Sequence, residues 1–369
     1  MTTRASFDSA SARIAAAGRP PAIDPHSDPT SGWRPRLSLG RELLEDVALR
    51  VGIRATRGLR YADAVRFGAS LGAFYGATAR RLDSRDHRVA TRNLALALPS
   101  SAAAERDAIL NVMWRNWGRA LVEMARLGSL DRDALRELVR LDPPDGPREI
   151  FARARETGSL VLTAHFGSFE MLHAACAAHG FPITIVHRTL ANRRVDRWLT
   201  ELRERAGTRL LRTGSAARQI LRALRCGEVV AVPFDQRPRD GSRIFVPFFS
   251  MPAATSSGLA RLALVSDAPV FPVVLVRDGE SERHRAVFLP PITLVRSGDR
   301  ERDVVENTER FNRALEALVR QYPEQWIWMY RRWKEFLKGR VTGAQHPIAV
   351  AAPPTREALP WRADTASPR

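Results

Sequence analysis

The stretch "SLVLTAHFGSFEML" (residues 159–172) decides the fold. Ser159 to Ala164 is a short run of apolar and small residues, the length of a strand buried on both faces. Gly167 and Ser168 break it, and an apolar helical pattern follows. The same rhythm returns in "PITIVH" (182–187), "EVVAVPF" (228–234) and "PVFPVVLVR" (269–277). Helical stretches near 168–179, 192–206, 214–225 and 254–266 separate these runs. The alternation predicts an α/β fold, a mostly parallel central sheet flanked by helices. In such sheets ligands collect outside the carboxyl ends of the strands. His165, His187 and Asp235 all stand at such ends.

Upstream, 41–140 reads as helical, with segments 41–57, 61–80, 84–97 and 102–127 punctuated by Pro99 and Pro143. A last helix, 302–321, precedes an aromatic and basic segment. Residues 1–40 and 341–369 are rich in Pro, Ser, Ala and Thr and read as disordered tails. One domain is therefore expected over 41–340, with a helical membrane-associated part (41–140) and an α/β catalytic part (147–340).

The chain has 58 Lys and Arg against 40 Asp and Glu, a net charge of +18, which favours anionic partners. No nucleic-acid-binding motif accompanies that charge, so nucleic acid is not an expected partner. Cys176 and Cys226 have no metal-ligand spacing and read as two buried free thiols, which suits a reducing compartment. The N-terminus lacks the apolar core of a signal peptide, and no run of 18 apolar residues predicts a transmembrane helix. "FGASLGAFYGATA" (67–79) fits either a helix lying against a membrane or a buried core helix.

His165 and Glu170 are the first candidates for chemistry. On one continuous helix, five residues turn the chain by about 500° and set the two side chains some 140° apart. With a strand end at His165 and a turn at Gly167 and Ser168, Glu170 enters the first turn of a helix and is expected to converge on the imidazole. A carboxylate there fixes the tautomer and leaves the other nitrogen as a base. First-turn amides add positive potential for an oxyanion or phosphate. The alternative is a hydrogen-bonded strand-end histidine and an ordinary first-turn glutamate.

Five ordered blocks extend the pattern. They are "VATRNLALALP" (89–99), "HFGSFE" (165–170), "VHRTLANRRVDRWLTELRERAG" (186–207), "VAVPFDQRPRDGSRIFVPFFSMPAATSSGLARLA" (230–263) and "YPEQWIWMYRRWK" (322–334). Together they resemble the lipid A biosynthesis (lauroyl/myristoyl) acyltransferase family, a branch of the HX4D/E glycerolipid acyltransferases. The chain departs from the family pattern at Ser168 and Phe169 (usually Asn and Trp), His187 (Tyr), Ser250 (Gly) and Tyr330 (His).

The resemblance implies acyl transfer from an acyl carrier protein thioester to a hydroxyl of a lipid A precursor. His165 would be the general base and Glu170 its orienting partner, worth about 10²–10⁴ in rate. No cofactor and no metal are implied, because a thioester is already activated. Arg188 would clamp a phosphate or an oxyanion. Asp235 would position Arg188 or the sugar hydroxyls, with Gln236 beside it. Phe248 and Phe249 would line an acyl groove near Thr255, or else be core. The terminal aromatics suggest Trp326 and Trp328 inward, with Arg331, Arg332 and Lys334 facing phosphates. Such an enzyme would sit on the cytoplasmic face of the inner membrane, held to an anionic surface peripherally or by a weak anchor. Competing readings are acyl-CoA-dependent acylation of a phosphatidylinositol mannoside or other glycolipid, a thioester hydrolase, and a non-catalytic basic peripheral protein.

Overall fold

The computed structural model describes residues 39–212, 216–238 and 241–339. The expected tails lie outside these, except that residues 39 and 40 open the first helix. Four helices come first: α1 (Leu39–Arg57), α2 (Tyr61–Arg81), α3 (Arg85–Ala97) and α4 (Ala103–Arg126). The order continues α5 (Arg132–Leu138), β1 (Val139–Asp142), α6 (Gly146–Thr157), β2 (Ser159–Thr163), α7 (Phe169–Ala178), β3 (Thr184–His187), α8 (Arg193–Arg205) and β4 (Arg209–Arg212). It ends α9 (Ala216–Arg225), β5 (Val229–Pro233), β6 (Arg243–Phe248), β7 (Met251–Ser256), α10 (Gly258–Ser266), β8 (Val270–Arg277), β9 (His284–Phe288) and α11 (Arg300–Gln321).

Seven strands form one sheet in the order β1-β9-β8-β2-β5-β3-β4, and β6 and β7 form a separate hairpin. From β8 to β4 every pairing is parallel; β9 folds back antiparallel on β8, and β1 lies parallel to β9. The central strands are buried on both faces because their residues alternate between two cores. Leu160, Leu162, Val230 and Val274 point into one, and Val161, Val229, Ala231 and Val273 into the other. An uninterrupted apolar run is what such a strand requires.

Close backbone contact holds the helical region together, and buried charge ties it to the sheet. Gly68, Gly72 and Gly76 of α2 face α4, where a Cβ on Gly72 would lie 2.1 Å from the Trp114 carbonyl oxygen. The other face of α2 exposes Phe67, Leu71 and Phe74. Segment 67–79 is thus a helix buried on one side and apolar on the other. Among the described residues no helix is long and apolar enough to cross a membrane. Further along α4, Glu123 accepts from Arg277 Nη2 (2.5 Å) at the end of β8 and pairs with His284 Nε2 (3.0 Å) at the start of β9. All three are buried. Burial alone would raise the Glu123 carboxyl, but Arg277 and His284 hold it down to about 2.

Three expectations change. The helix expected from 254 starts at Gly258, because Met251–Ser256 pairs with β6. Cys176 is buried but Cys226 is exposed. Short strands β1, β4, β6, β7 and β9 were not expected: Arg interrupts or bounds β1, β4, β6 and β9, and β7 is a run of mostly small residues.

Candidate active site

Sheet register builds the site. On neighbouring parallel strands Thr163 lies opposite Pro233, so two residues further on His165 faces Asp235. The Phe234 N–H donates to the Thr163 carbonyl (2.8 Å) and the His165 N–H to Asp235 Oδ2 (3.2 Å), which continues the pairing past the strand ends. His165 Nδ1 then sits 2.9 Å from Asp235 Oδ1. The carboxylate can only accept here, so Nδ1 carries the proton and Nε2 keeps its lone pair. The Trp326 indole N–H donates to Asp235 Oδ2 at 3.1 Å. Burial alone would raise the Asp235 carboxyl, but the His165 charge, its hydrogen bonds and the Trp326 bond bring it below the ordinary carboxylate range.

The loop that follows is pinned at each residue. Phe166 bridges Trp326, and the Gly167 N–H donates to the Gln325 carbonyl (2.8 Å). Gly167 has φ +54°, and a Cβ there would lie 2.4 Å from the Leu275 carbonyl oxygen, so glycine is required. The Phe169 and Tyr330 rings flank the imidazole edge-on, at centroid distances of 4.8 and 5.2 Å. Burial raises the Tyr330 hydroxyl well above its ordinary value, so it stays a neutral donor. The Gln236 amide nitrogen lies 3.2 Å from His165 Nε2 and caps the basic nitrogen.

Glu170 is placed elsewhere than expected. It does not touch His165; Arg203 of α8 grips it through Nε (2.9 Å) and Nη2 (2.5 Å), and His173 Nε2 approaches at 3.3 Å. The reason is helical: once α7 begins at Phe169, Glu170 faces His173, three residues on, and looks away from the strand end. Burial alone would raise the Glu170 carboxyl, but hydrogen bonds and charge from His173 and Arg203 hold it at about 2. Asp235 is correspondingly the partner of His165 and not of Arg188. Arg188 is half-buried just past β3.

A cavity opens behind Phe169 and Tyr330, the two rings that flank the imidazole. Met113, Trp117, Ala120, Leu121 and Met124 of α4 form one wall, and Ser168, Glu170 and Ile327 another. Phe248 and Phe249 are not part of it. They are core residues packed on Trp333, with ring centroids 5.6 and 6.2 Å away. Thr255 is buried against Asn312 (3.2 Å) and Arg332 (2.8 Å), where it ties the hairpin to α11. Arg332, expected to face phosphates, is fully buried and donates to the Ala254 carbonyl and Asn312 Oδ1 as well. Trp326 and Trp328 do point inward. Asn93 Nδ2 donates to the Trp328 (2.8 Å) and Tyr330 (2.6 Å) carbonyls and so fixes the segment that carries Tyr330. His187 is buried; desolvation, with Arg203 and Arg212 nearby, lowers it.

Arg203, Tyr330 and the α4 wall are the residues that motif reading passed over as site components. In the sequence nothing separates Arg203 from its neighbours Arg193, Arg194, Arg197 and Arg205. Among the described residues no group of three or more His, Cys, Asp or Glu is gathered to hold a metal.

A buried carboxylate against one imidazole nitrogen, with an apolar cavity nearby, is an arrangement capable of general-base chemistry on a chain-bearing substrate. The model of the bacterial lipid A biosynthesis acyltransferases matches residues 63–335, and the chain belongs to that family. It is an acyltransferase. It is 26% identical over 268 residues to the lipid A biosynthesis palmitoleoyltransferase of Escherichia coli (strain K12), covering 72% of this chain and 84% of the relative. The lauroyltransferase of the same organism is 27% identical over 267 residues, with the same shares covered. The myristoyltransferase is 27% identical over 285 residues, 76% of this chain and 82% of its own length.

Proposed function

We propose that the protein acts late in lipid A synthesis, moving a fatty acyl chain from an acyl carrier protein thioester to a hydroxyl of a lipid A precursor. The observation that carries this reading is the His165–Asp235 pair beside an apolar cavity, in a chain of this family. His165 Nε2 takes the proton of the acceptor hydroxyl as its oxygen attacks the thioester carbonyl. Asp235 holds the tautomer and stabilises the imidazolium. The acceptor hydroxyl displaces the Gln236 amide from Nε2 as it binds.

Glu170 serves as a positioning residue. With Arg203 and His173 it anchors the first turn of α7, which forms part of the cavity wall. The acyl chain occupies the cavity along α4, a role that falls to Met113, Trp117 and Ala120 in place of Phe248 and Phe249. Arg188 and the +18 charge favour the phosphates of the acceptor, the acidic carrier and an anionic membrane surface at the cytoplasmic face of the inner membrane.

Purified protein with labelled acyl carrier thioester is expected to label a lipid A precursor. Labelling of a glycosylated phosphatidylinositol from acyl-CoA alone would replace both donor and acceptor in this reading.

A further inference from the structure

Ser168 carries a hydroxyl that the fold does not use. It is 1% exposed, and its Oγ has no hydrogen-bond partner. Such an atom normally costs about 1–3 kcal/mol, so native folds rarely keep one without a reason. Ser168 is the N-cap residue of α7, yet its side chain makes no capping bond. Ser168 is one of the residues that line the cavity, with its hydroxyl buried behind the surface. Of the buried side-chain atoms left without partners among the described residues, it is the one at that wall.

The helix end gives positive potential here, and the Glu170 carboxylate on the same wall is paired with Arg203. A helix N-terminus presents unsatisfied N–H groups and a partial positive charge to whatever lies in front of it. The α7 helix opens at Phe169, four residues after His165, and its position is fixed by the pinned turn through Gly167. A preorganised donor costs no reorganisation when negative charge develops in front of it.

We propose that the Ser168 hydroxyl, together with the first-turn N–H groups of α7 other than that of Met171, which donates to the Ser168 carbonyl, forms the oxyanion site for the thioester carbonyl. This rests on the acyl-transfer reading above. In the first step the acceptor oxygen bonds to the carbonyl carbon while His165 Nε2 takes its proton, and the C=O π pair moves onto oxygen. Ser168 Oγ–H donates to that oxyanion. In the second step the C=O bond re-forms, the C–S bond breaks, and the leaving thiolate takes the proton from His165. The products are an ester and a free thiol, with no further reactant.

The test compares wild type, Ser168→Ala and Ser168→Thr in the full chain, following thiol release from the acyl carrier thioester in the presence of a lipid A precursor. Ser168→Ala is expected to lower kcat by about 10²–10³ with KM for the donor little changed. Its Tm should not fall, because the deleted oxygen bonds to nothing. Ser168→Thr, which keeps a hydroxyl, should retain most of kcat. A Ser168→Ala enzyme with wild-type kcat overturns the proposal. So does one whose Tm drops, which makes the hydroxyl structural, or one that changes only KM. A wild type that releases thiol without labelling the lipid A precursor contradicts the acceptor assignment and leaves the Ser168 comparison readable. A wild type that releases no thiol from carrier or coenzyme A thioesters overturns both.

Discussion

Asp235→Asn separates the chemistry of the site from its stability. Asp235 is fully buried and accepts three hydrogen bonds: Oδ1 from His165 Nδ1–H, and Oδ2 from the His165 N–H and the Trp326 indole. An asparagine keeps one acceptor oxygen. If that oxygen takes the Oδ2 place, it preserves two of the three bonds and turns its NH₂ toward Nδ1. The ring then accepts at Nδ1 and carries its proton on Nε2, where the base must be bare. Folding loses the difference between a charged and a neutral acceptor, on the order of 1–2 kcal/mol. Catalysis loses its tautomer and its stabilised imidazolium, a change worth about 10⁴ in kcat in comparable carboxylate–histidine sites, or about 5.5 kcal/mol of barrier. Thiol-release kinetics and urea unfolding of the same sample read the two quantities apart. A variant whose kcat stays within about tenfold of wild type refutes the reasoning.

Acid should unfold the protein through its buried carboxylates. Glu123 and Glu170 each sit at about 2 instead of 4.5. Their folded values lie below the unfolded ones, so their stabilisation, on the order of 3 kcal/mol each, is complete above 4.5 and lost as pH falls toward 2. The urea midpoint should drop across that window, and less steeply in Glu170→Gln. Gly118→Ala places a Cβ 2.1 Å from the Gly68 carbonyl oxygen and must push α2 off α4, at a cost of about 1–3 kcal/mol or more. Gly52→Ala, with nothing within 4 Å, should raise stability by up to about 1 kcal/mol, and Tm with it; thermal melts decide both. Ala120→Leu fills the cavity wall, and excluding two methylenes of chain at about 0.8 kcal/mol each should cost the longest donor roughly tenfold in kcat/KM. A donor series of graded chain length checks the shift toward shorter chains.

Reading the chain alone recovers the central strands and the long helices, because their apolar runs and periodicity are unbroken. It also places His165 and Asp235 at strand carboxyl ends. What it does not contain is which strand neighbours which. Asp235 becomes the partner of His165 because β5 lies next to β2, a pairing between segments 70 residues apart. Local spacing favoured Glu170 because it considered only the residues within one turn. The structure turns that side chain around α7 toward Arg203, which lies 33 residues away. Phe248 and Phe249 have the same composition in a groove as in a core, and only their packing on Trp333 separates the two. Arg332 misleads for the opposite reason: a cation is expected outside, yet here backbone and amide oxygens satisfy it in the interior. Desolvation lowers its guanidinium to about 10.

The most direct measurement is transfer of labelled acyl chain from the carrier thioester to a lipid A precursor by wild type and by His165→Ala, each confirmed as folded. The account predicts labelled acceptor with wild type, and a loss of about 10²–10⁴ in rate without the imidazole. Near-normal transfer by His165→Ala would contradict it.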